Sequence, residues 1–304
     1  MTLDEGFIML KMKNVFFIIT ILIIAFYTNV AQTSQNFDKV IYGTDGRMEV
    51  YERPEYKNWA KSTAIQISNS LLKNEGDRVR VGGGIFQDAG ELCDTERYAS
   101  QPSPGRCSGF LVAPDLLVTA GHCIQMDYHC QSNSWVFDFN ASKDGTVNTL
   151  LNPQQIFRCV SIISTARDNK TQNDYAVIRL DRVALGRTPL KFRTSGQVDQ
   201  NADLVVIGNP SGLPTKVTVG GTMRDNTNPI FFRANLDTFG GNSGSAVFDT
   251  RTGLVEGILV RGETDFVNDP IRSCNVVYKC KEGECRGEDV TRITNLTKFL
   301  PTKN

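Results

Sequence analysis

One of the chain's two histidines stands in Leu117-Val118-Thr119-Ala120-Gly121-His122-Cys123, where apolar residues give way to small ones just before the imidazole. Small residues let the backbone turn tightly and leave the ring at the end of a strand. An acid opens the apolar run Asn173-Asp174-Tyr175-Ala176-Val177-Ile178-Arg179-Leu180. A serine sits between glycines in Asp237-Thr238-Phe239-Gly240-Gly241-Asn242-Ser243-Gly244-Ser245-Ala246-Val247. A serine hydroxyl becomes nucleophilic at neutral pH only beside a base, and that base needs an acid to orient it. The chain offers one candidate for each role, in the order His122, Asp174, Ser243. Glycines around Ser243 permit a turn whose amide N–H groups converge on one point while the hydroxyl is presented, as a developing oxyanion requires. Each string alone has a bland reading: a structural histidine, a capping or surface acid, an ordinary glycine turn. Their conjunction points to acyl transfer by a serine.

The elements that must position these residues read as strands. Short β-branched and aromatic runs, punctuated by Gly, Pro, Asn and Asp, cover Ser108–Ala113, Leu116–Ala120, Ser134–Phe139, Tyr175–Leu180, Leu204–Ile207, Lys216–Val219, Pro229–Ala234, Ala246–Phe248 and Leu254–Val260. Many strands of this length at this spacing predict an all-β sandwich or barrel. Trp59–Leu72 fits a helix or a strand equally well. There is no internal repeat and no low-complexity tract, which excludes solenoids and linker-rich arrays. The polar, Gly-containing stretch Thr188–Gln200 is the best internal boundary.

Composition narrows the classes further. Basic and acidic side chains balance at 33 each with a pI near 6.7, so there is no electrostatic footprint for nucleic acid. An apolar content of 40% and a charged content of 22% exclude a disordered or collagen-like chain. At the N-terminus, Lys11 and Lys13 precede the apolar run Val15–Tyr27, too short as a helix for a hydrocarbon core of roughly 30 Å. The pattern predicts a signal peptide over 1–31, cleaved near Ala31, with Met9 or Met12 as alternative starts and an uncleaved anchor as the rival reading. Export, extracellular or periplasmic, suits the eight cysteines, enough for four disulfides. Three sequons, at Asn140, Asn169 and Asn295, carry little weight.

In Thr119-Ala120-Gly121-His122-Cys123, Asp174-Tyr175-Ala176 and Gly241-Asn242-Ser243-Gly244-Ser245, the chain resembles the trypsin-like (chymotrypsin-fold) serine peptidases. The Gly-Asn-Ser-Gly-Ser form points to their bacterial-type, glutamyl endopeptidase-like branch. The resemblance runs from about Val81 to Thr297. It implies two antiparallel six-stranded β-barrels with the active site between them. Residues 40–187 would hold an N-terminal extension and the first barrel, and 188–304 the second barrel and a C-terminal tail. It further implies Ser243 as nucleophile, His122 as general base, Asp174 as its orienting acid, and the N–H groups of Gly241 and Ser243 as oxyanion hole.

The family also implies a bridge between Cys107 and Cys123. Cys130 and Cys159, both between the histidine and aspartate strings, are a second candidate pair; Cys93, Cys274, Cys280 and Cys285 stay open. A zinc site is the rival reading of that cluster. His129 beside Cys130 reads as a loop residue before a metal ligand. Val40-Ile41-Tyr42-Gly43 after Lys39 resembles a mature N-terminus of this branch, implying a propeptide over 32–39 and a zymogen.

The specificity pocket by resemblance is Asp237, Thr238, Leu259 and Arg261. Asp237 favours basic substrates, whereas Thr238 matches the glutamate-specific pattern and Leu259 does not. Arg261 either neutralises Asp237 or meets an acidic side chain. The bland reading of Asp237 is a hydrogen-bonded loop acid. The expectation is a monomeric secreted endopeptidase acting on peptides or proteins, with no metal or organic cofactor, no nucleic-acid partner and no stable membrane association after signal cleavage. A catalytically silent trypsin-fold protein used for binding or adhesion is the alternative. An esterase of the α/β class is disfavoured because its triad order is Ser, Asp, His.

Overall fold

Six strands close the first barrel: β1 (Thr63–Ser68), β2 (Gly105–Ala113), β3 (Leu116–Thr119), β4 (Asn133–Phe137), β5 (Ile156–Arg167) and β6 (Asp174–Leu180). Their order is β5-β6-β3-β2-β1-β4, every pair antiparallel, with β4 returning to β5. Six more close the second: β7 (Asp203–Gly208), β8 (Lys216–Asp225), β9 (Phe231–Asn235), β10 (Ala246–Asp249), β11 (Leu254–Arg261) and β12 (Glu288–Arg292). Their order is β7-β10-β11-β12-β9-β8, and β8 pairs back to β7. The computed structural model describes residues 40–281 and 283–301. The expected signal peptide, propeptide and cleavage after Lys39 lie outside the described residues.

Two-residue periodicity sorts the side chains. On β7, Val205 and Ile207 join an apolar cluster that also contains Trp135, Phe137 and Ile178 of the first barrel. Leu204 and Val206 point the other way, into the second barrel's own core with Phe232, Val247 and Val290. Each fully buried large side chain contributes about 1.5–3 kcal/mol, so the shared cluster welds the barrels into one body.

Three elements departed from the sequence expectation for identifiable reasons. Trp59–Leu72 divides into the end of a short helix (Lys57–Ala60), strand β1 and a 3₁₀ turn (Asn69–Leu71). Strand β1 is ambiguous as a pattern because both its faces are buried: Ala64 faces the barrel cluster, while Ile65 and Ile67 pack outward with Val81 and Leu151. Strand β12 escaped notice because four of its five residues are polar, yet all five are buried. Strand β4 stops at Phe137, because Asp138 adopts φ 57° and bonds the Arg187 guanidinium at 2.6 Å.

The segment before the first barrel belongs structurally to the second. Arg47–Glu49 adds a strand to β8, and Ile41–Tyr42 pairs in parallel with Lys279–Cys280. Lys216 Nζ, fully buried, donates to Glu49 Oε1 at 2.9 Å and to Gln101 Oε1 at 2.7 Å. Burial pushes its ammonium down to about 8, against the pull of Glu49. Four disulfides join Cys93–Cys274, Cys107–Cys123, Cys130–Cys159 and Cys280–Cys285, leaving no free cysteine. The four cysteines left open thus pair with one another, and no thiolates remain for zinc. Among the described residues, no helix is long and apolar enough to cross a membrane.

Candidate active site

His122 sits in the 3₁₀ turn Gly121–Cys123 that follows β3. The turn needs glycine at 121, since a Cβ there would lie 1.9 Å from the Ala166 carbonyl oxygen. Asp174, at the start of β6, is 2% exposed and grips this turn twice. Its Oδ1 accepts the His122 backbone N–H at 3.0 Å, and its Oδ2 lies 2.9 Å from His122 Nδ1. An ionised carboxylate can only accept, so Nδ1 carries the proton and Nε2 is left as the basic nitrogen. Burial raises the Asp174 carboxyl, but the hydrogen bonds and charge of His122, with Arg261, outweigh it and hold the group below the ordinary carboxylate range.

Ser243 arrives from the second barrel. Its backbone carbonyl accepts the Ser108 N–H at 2.8 Å, and Ser108 Oγ donates to the Gly241 carbonyl at 2.8 Å. Gly244 takes φ +93°, and a Cβ there would lie 2.0 Å from the Ser108 oxygen, so the serine loop presses directly on β2. His122, Ser243, Gly240 and Gly241 line one cleft of about 490 Å³ together with Arg106 and His129. The Gly240 carbonyl accepts the Ser211 N–H at 2.5 Å, and the Gly240 N–H donates to Asp265 Oδ2 at 2.8 Å. A trans peptide aims its N–H opposite to its carbonyl, so the Gly241 N–H is directed away from Ser211. Asn242 turns inward, where its Oδ1 accepts from Ser245 Oγ at 3.2 Å.

The four residues expected to line the pocket take separate partners. Asp237 Oδ1 accepts the Tyr42 N–H at 2.7 Å and its Oδ2 accepts the Gly46 N–H at 2.6 Å. Burial outweighs these two bonds and pushes its carboxyl up to about 6. Leu259 is fully buried in the second barrel's core. Arg261 does not meet Asp237; its Nε donates to Asp289 at 3.1 Å, its Nη2 to the Gln172 carbonyl at 3.0 Å, and its Nη1 lies 3.7 Å from Asp174. Thr238 Oγ1 donates to Glu288 Oε2 at 3.0 Å.

Sequence reasoning missed Ser108 and Glu288. Ser108 had a signal: a polar residue inside the apolar strand Gly105–Ala113 must find hydrogen bonds when buried. Among the described residues, Cys107, His122 and Cys123 alone bring three metal-ligand atoms within reach of one ion, and the disulfide takes two of them. His129 lies in the helix Asp127–Ser132 and its Nδ1 accepts the Gln125 N–H at 3.2 Å.

Two curated relatives resemble the chain. A glutamyl endopeptidase of Bacillus licheniformis is 27% identical over 226 residues, covering 70% of this chain and 65% of that protein. An extracellular metalloprotease of Bacillus subtilis is 28% identical over 163 residues, covering 50% of this chain and 49% of that protein. The chain thus spans less than two thirds of either relative's length. Among solved structures, a Glu endopeptidase in complex with MPD is similar with a TM-score of 0.46 and 18% identity, over 86% of this chain and 96% of that one. The Ser343Ala mutant of Rv3671c from M. tuberculosis, in an inactive form, is similar with a TM-score of 0.45 and 14% identity, over 85% of this chain and 94% of that one. Residues 107–258, half of the 304-residue chain, match the trypsin-like peptidase domain, and the chain belongs to that family.

Proposed function

We propose that the chain is a serine endopeptidase working through an acyl-enzyme, with His122, Asp174 and Ser243 as its triad. The observation that carries this reading is the pair of hydrogen bonds that Asp174 accepts from His122, at the edge of the cleft that His122 and Ser243 line together. Ser243 Oγ attacks the scissile carbonyl while His122 Nε2 accepts its proton. The C–N bond breaks as His122 returns that proton to the leaving amine. Water, deprotonated by the same nitrogen, then hydrolyses the ester. Asp174 fixes the tautomer and stabilises the imidazolium. The N–H groups of Gly241 and Ser243 stabilise the tetrahedral oxyanion, each by about 2.7–4 kcal/mol.

Every step is assigned to these side chains and amides, and no cofactor enters the scheme. Export through the N-terminal signal, release of a propeptide after Lys39 and action as a monomer on peptide or protein substrates complete the reading. The two amides on Asp237 favour the reading of a hydrogen-bonded loop acid over that of a pocket acid selecting basic side chains. Cleavage of a peptide library therefore reads the side-chain preference without a prior.

The test is hydrolysis of peptide substrates by the wild-type chain and by Ser243→Ala, with fluorophosphonate labelling of both. Wild-type turnover and labelling, both abolished in the variant, are expected. A wild-type chain processed to start at Val40 whose serine neither labels nor turns over peptide overturns the peptidase reading in favour of the silent binding protein.

A further inference from the structure

Arg261 closes β11 and reaches from the second barrel to the acid of the first. Asp289, fully buried, accepts Arg261 Nε at 3.1 Å and also takes Arg233 at 3.1 Å and Arg286 at 2.5 Å. With Nη2 on the Gln172 carbonyl as well, the guanidinium is held by both barrels. Its third nitrogen, Nη1, lies 3.7 Å from Asp174 Oδ2, the oxygen that also receives His122 Nδ1. Two residues earlier on the same strand, the Leu259 carbonyl accepts the Gly244 N–H at 2.7 Å and its N–H donates to the Ser245 carbonyl at 3.0 Å. One short stretch of β11 therefore touches both the serine loop and the acid of the opposite barrel.

We propose that Arg261 is a positioning residue for the His122–Asp174 pair: anchored on Asp289, it shares the Asp174 carboxylate with His122 across the barrel interface and opposes the uptake of further positive charge by the pair. A fixed cation beside a coupled acid and imidazole disfavours the added positive charge. Other groups that face the pair are Arg106 of β2, Tyr128 and His129 of the neighbouring helix, which line the cleft with His122, and Arg167, the β5 register partner of Asp174. The charge of Arg261 is among the influences that hold Asp174 below the ordinary carboxylate range. The inference deepens the peptidase reading and rests on it for its catalytic meaning.

The chain's two histidines make the test direct, because NMR titration of the full chain reads His122 and His129 separately and needs no turnover. In R261Q the His122 midpoint is expected to rise by about half to one pH unit, with His129 unmoved. R261K, which keeps the charge, restores most of the wild-type midpoint. R233Q removes a different arginine from Asp289 and leaves the midpoint in place while lowering stability. The acid limb of kcat/KM shifts with the NMR midpoint. Should R261Q not fold, R261M serves the same measurement. An unmoved or lowered midpoint overturns the proposal, and so does an equal shift in R233Q. A chain that shows the NMR shift but no peptidase activity sinks the peptidase reading and leaves the placement of Arg261 intact.

Discussion

Asp174 and Asp237 are both buried carboxylates close in sequence or space to the serine loop, yet the molecule uses them in opposite ways. Asp174 meets one imidazole and one guanidinium and is held below the ordinary range. Asp237 meets two backbone amides of the N-terminal segment, and burial lifts it to about 6. The His122 hydrogen bonds and the Arg261 guanidinium answer the desolvation of the first carboxylate, while the second has only neutral dipoles in its hydrogen bonds. The first is suited to serve a charge that appears during reaction. The second ties residues 42–46 to the loop that leads into Ser243.

The widest separation between the two acids is expected in turnover. Asp174→Asn lowers kcat by about 10⁴-fold, because the amide imposes the wrong imidazole tautomer. Asp237→Asn changes kcat/KM by about tenfold at most, roughly 1.4 kcal/mol. A loss in Asp237→Asn as deep as that of Asp174→Asn, confined to lysine and arginine substrates, would return the acid to a substrate-reading role.

Covalent support is the next contrast. The His122 turn is stapled by Cys107–Cys123, sixteen residues apart, whereas the Asp237 side is held by pairing of the N-terminal segment. Replacing both cysteines by serine is expected to cost about 3 kcal/mol in urea unfolding, against about 2 kcal/mol for Cys280–Cys285, which closes a shorter loop. A reversed order would show that the staple at His122 adds strain that offsets its entropy term.

Acid titration separates the two acids by sign. A carboxyl raised in the folded chain binds its proton more tightly there than in the unfolded chain. Stability from Asp237 is therefore greatest below the ordinary value and falls as pH climbs from about 4 to about 6, by on the order of 2–3 kcal/mol. Asp174, held low, contributes stability above the ordinary carboxylate value and loses it as pH falls through its folded value. In Asp237→Asn the downward slope between about pH 4 and 6 disappears from the unfolding free energy. Its persistence would mean that another group titrates there.

The all-β architecture was legible because most barrel strands carry β-branched or aromatic runs between turn residues. What hid the rest was burial of charge. Strand β12 looks like a surface segment until Thr238, Arg233, Arg261 and Arg286 are brought to Glu288 and Asp289. The candidate site was readable as three local strings, but the partners of Asp237 lie 191 and 195 residues upstream. No local pattern announces them, and position relative to the serine left a pocket acid and a hydrogen-bonded loop acid both open. Arg261 shows the same limit: its charge was visible, while its partners on β6 and β12 depend on how two closed barrels meet.

The Cys93–Cys274 bridge spans 181 residues and crosses from the first half of the chain to the second. A single backbone cut anywhere inside that span leaves the fragments covalently joined. On a denaturing gel such a nicked chain would run intact until reduced and then fall into two bands. A molecule whose proposed trade is cutting chains is thereby insured against one cut in most of its own.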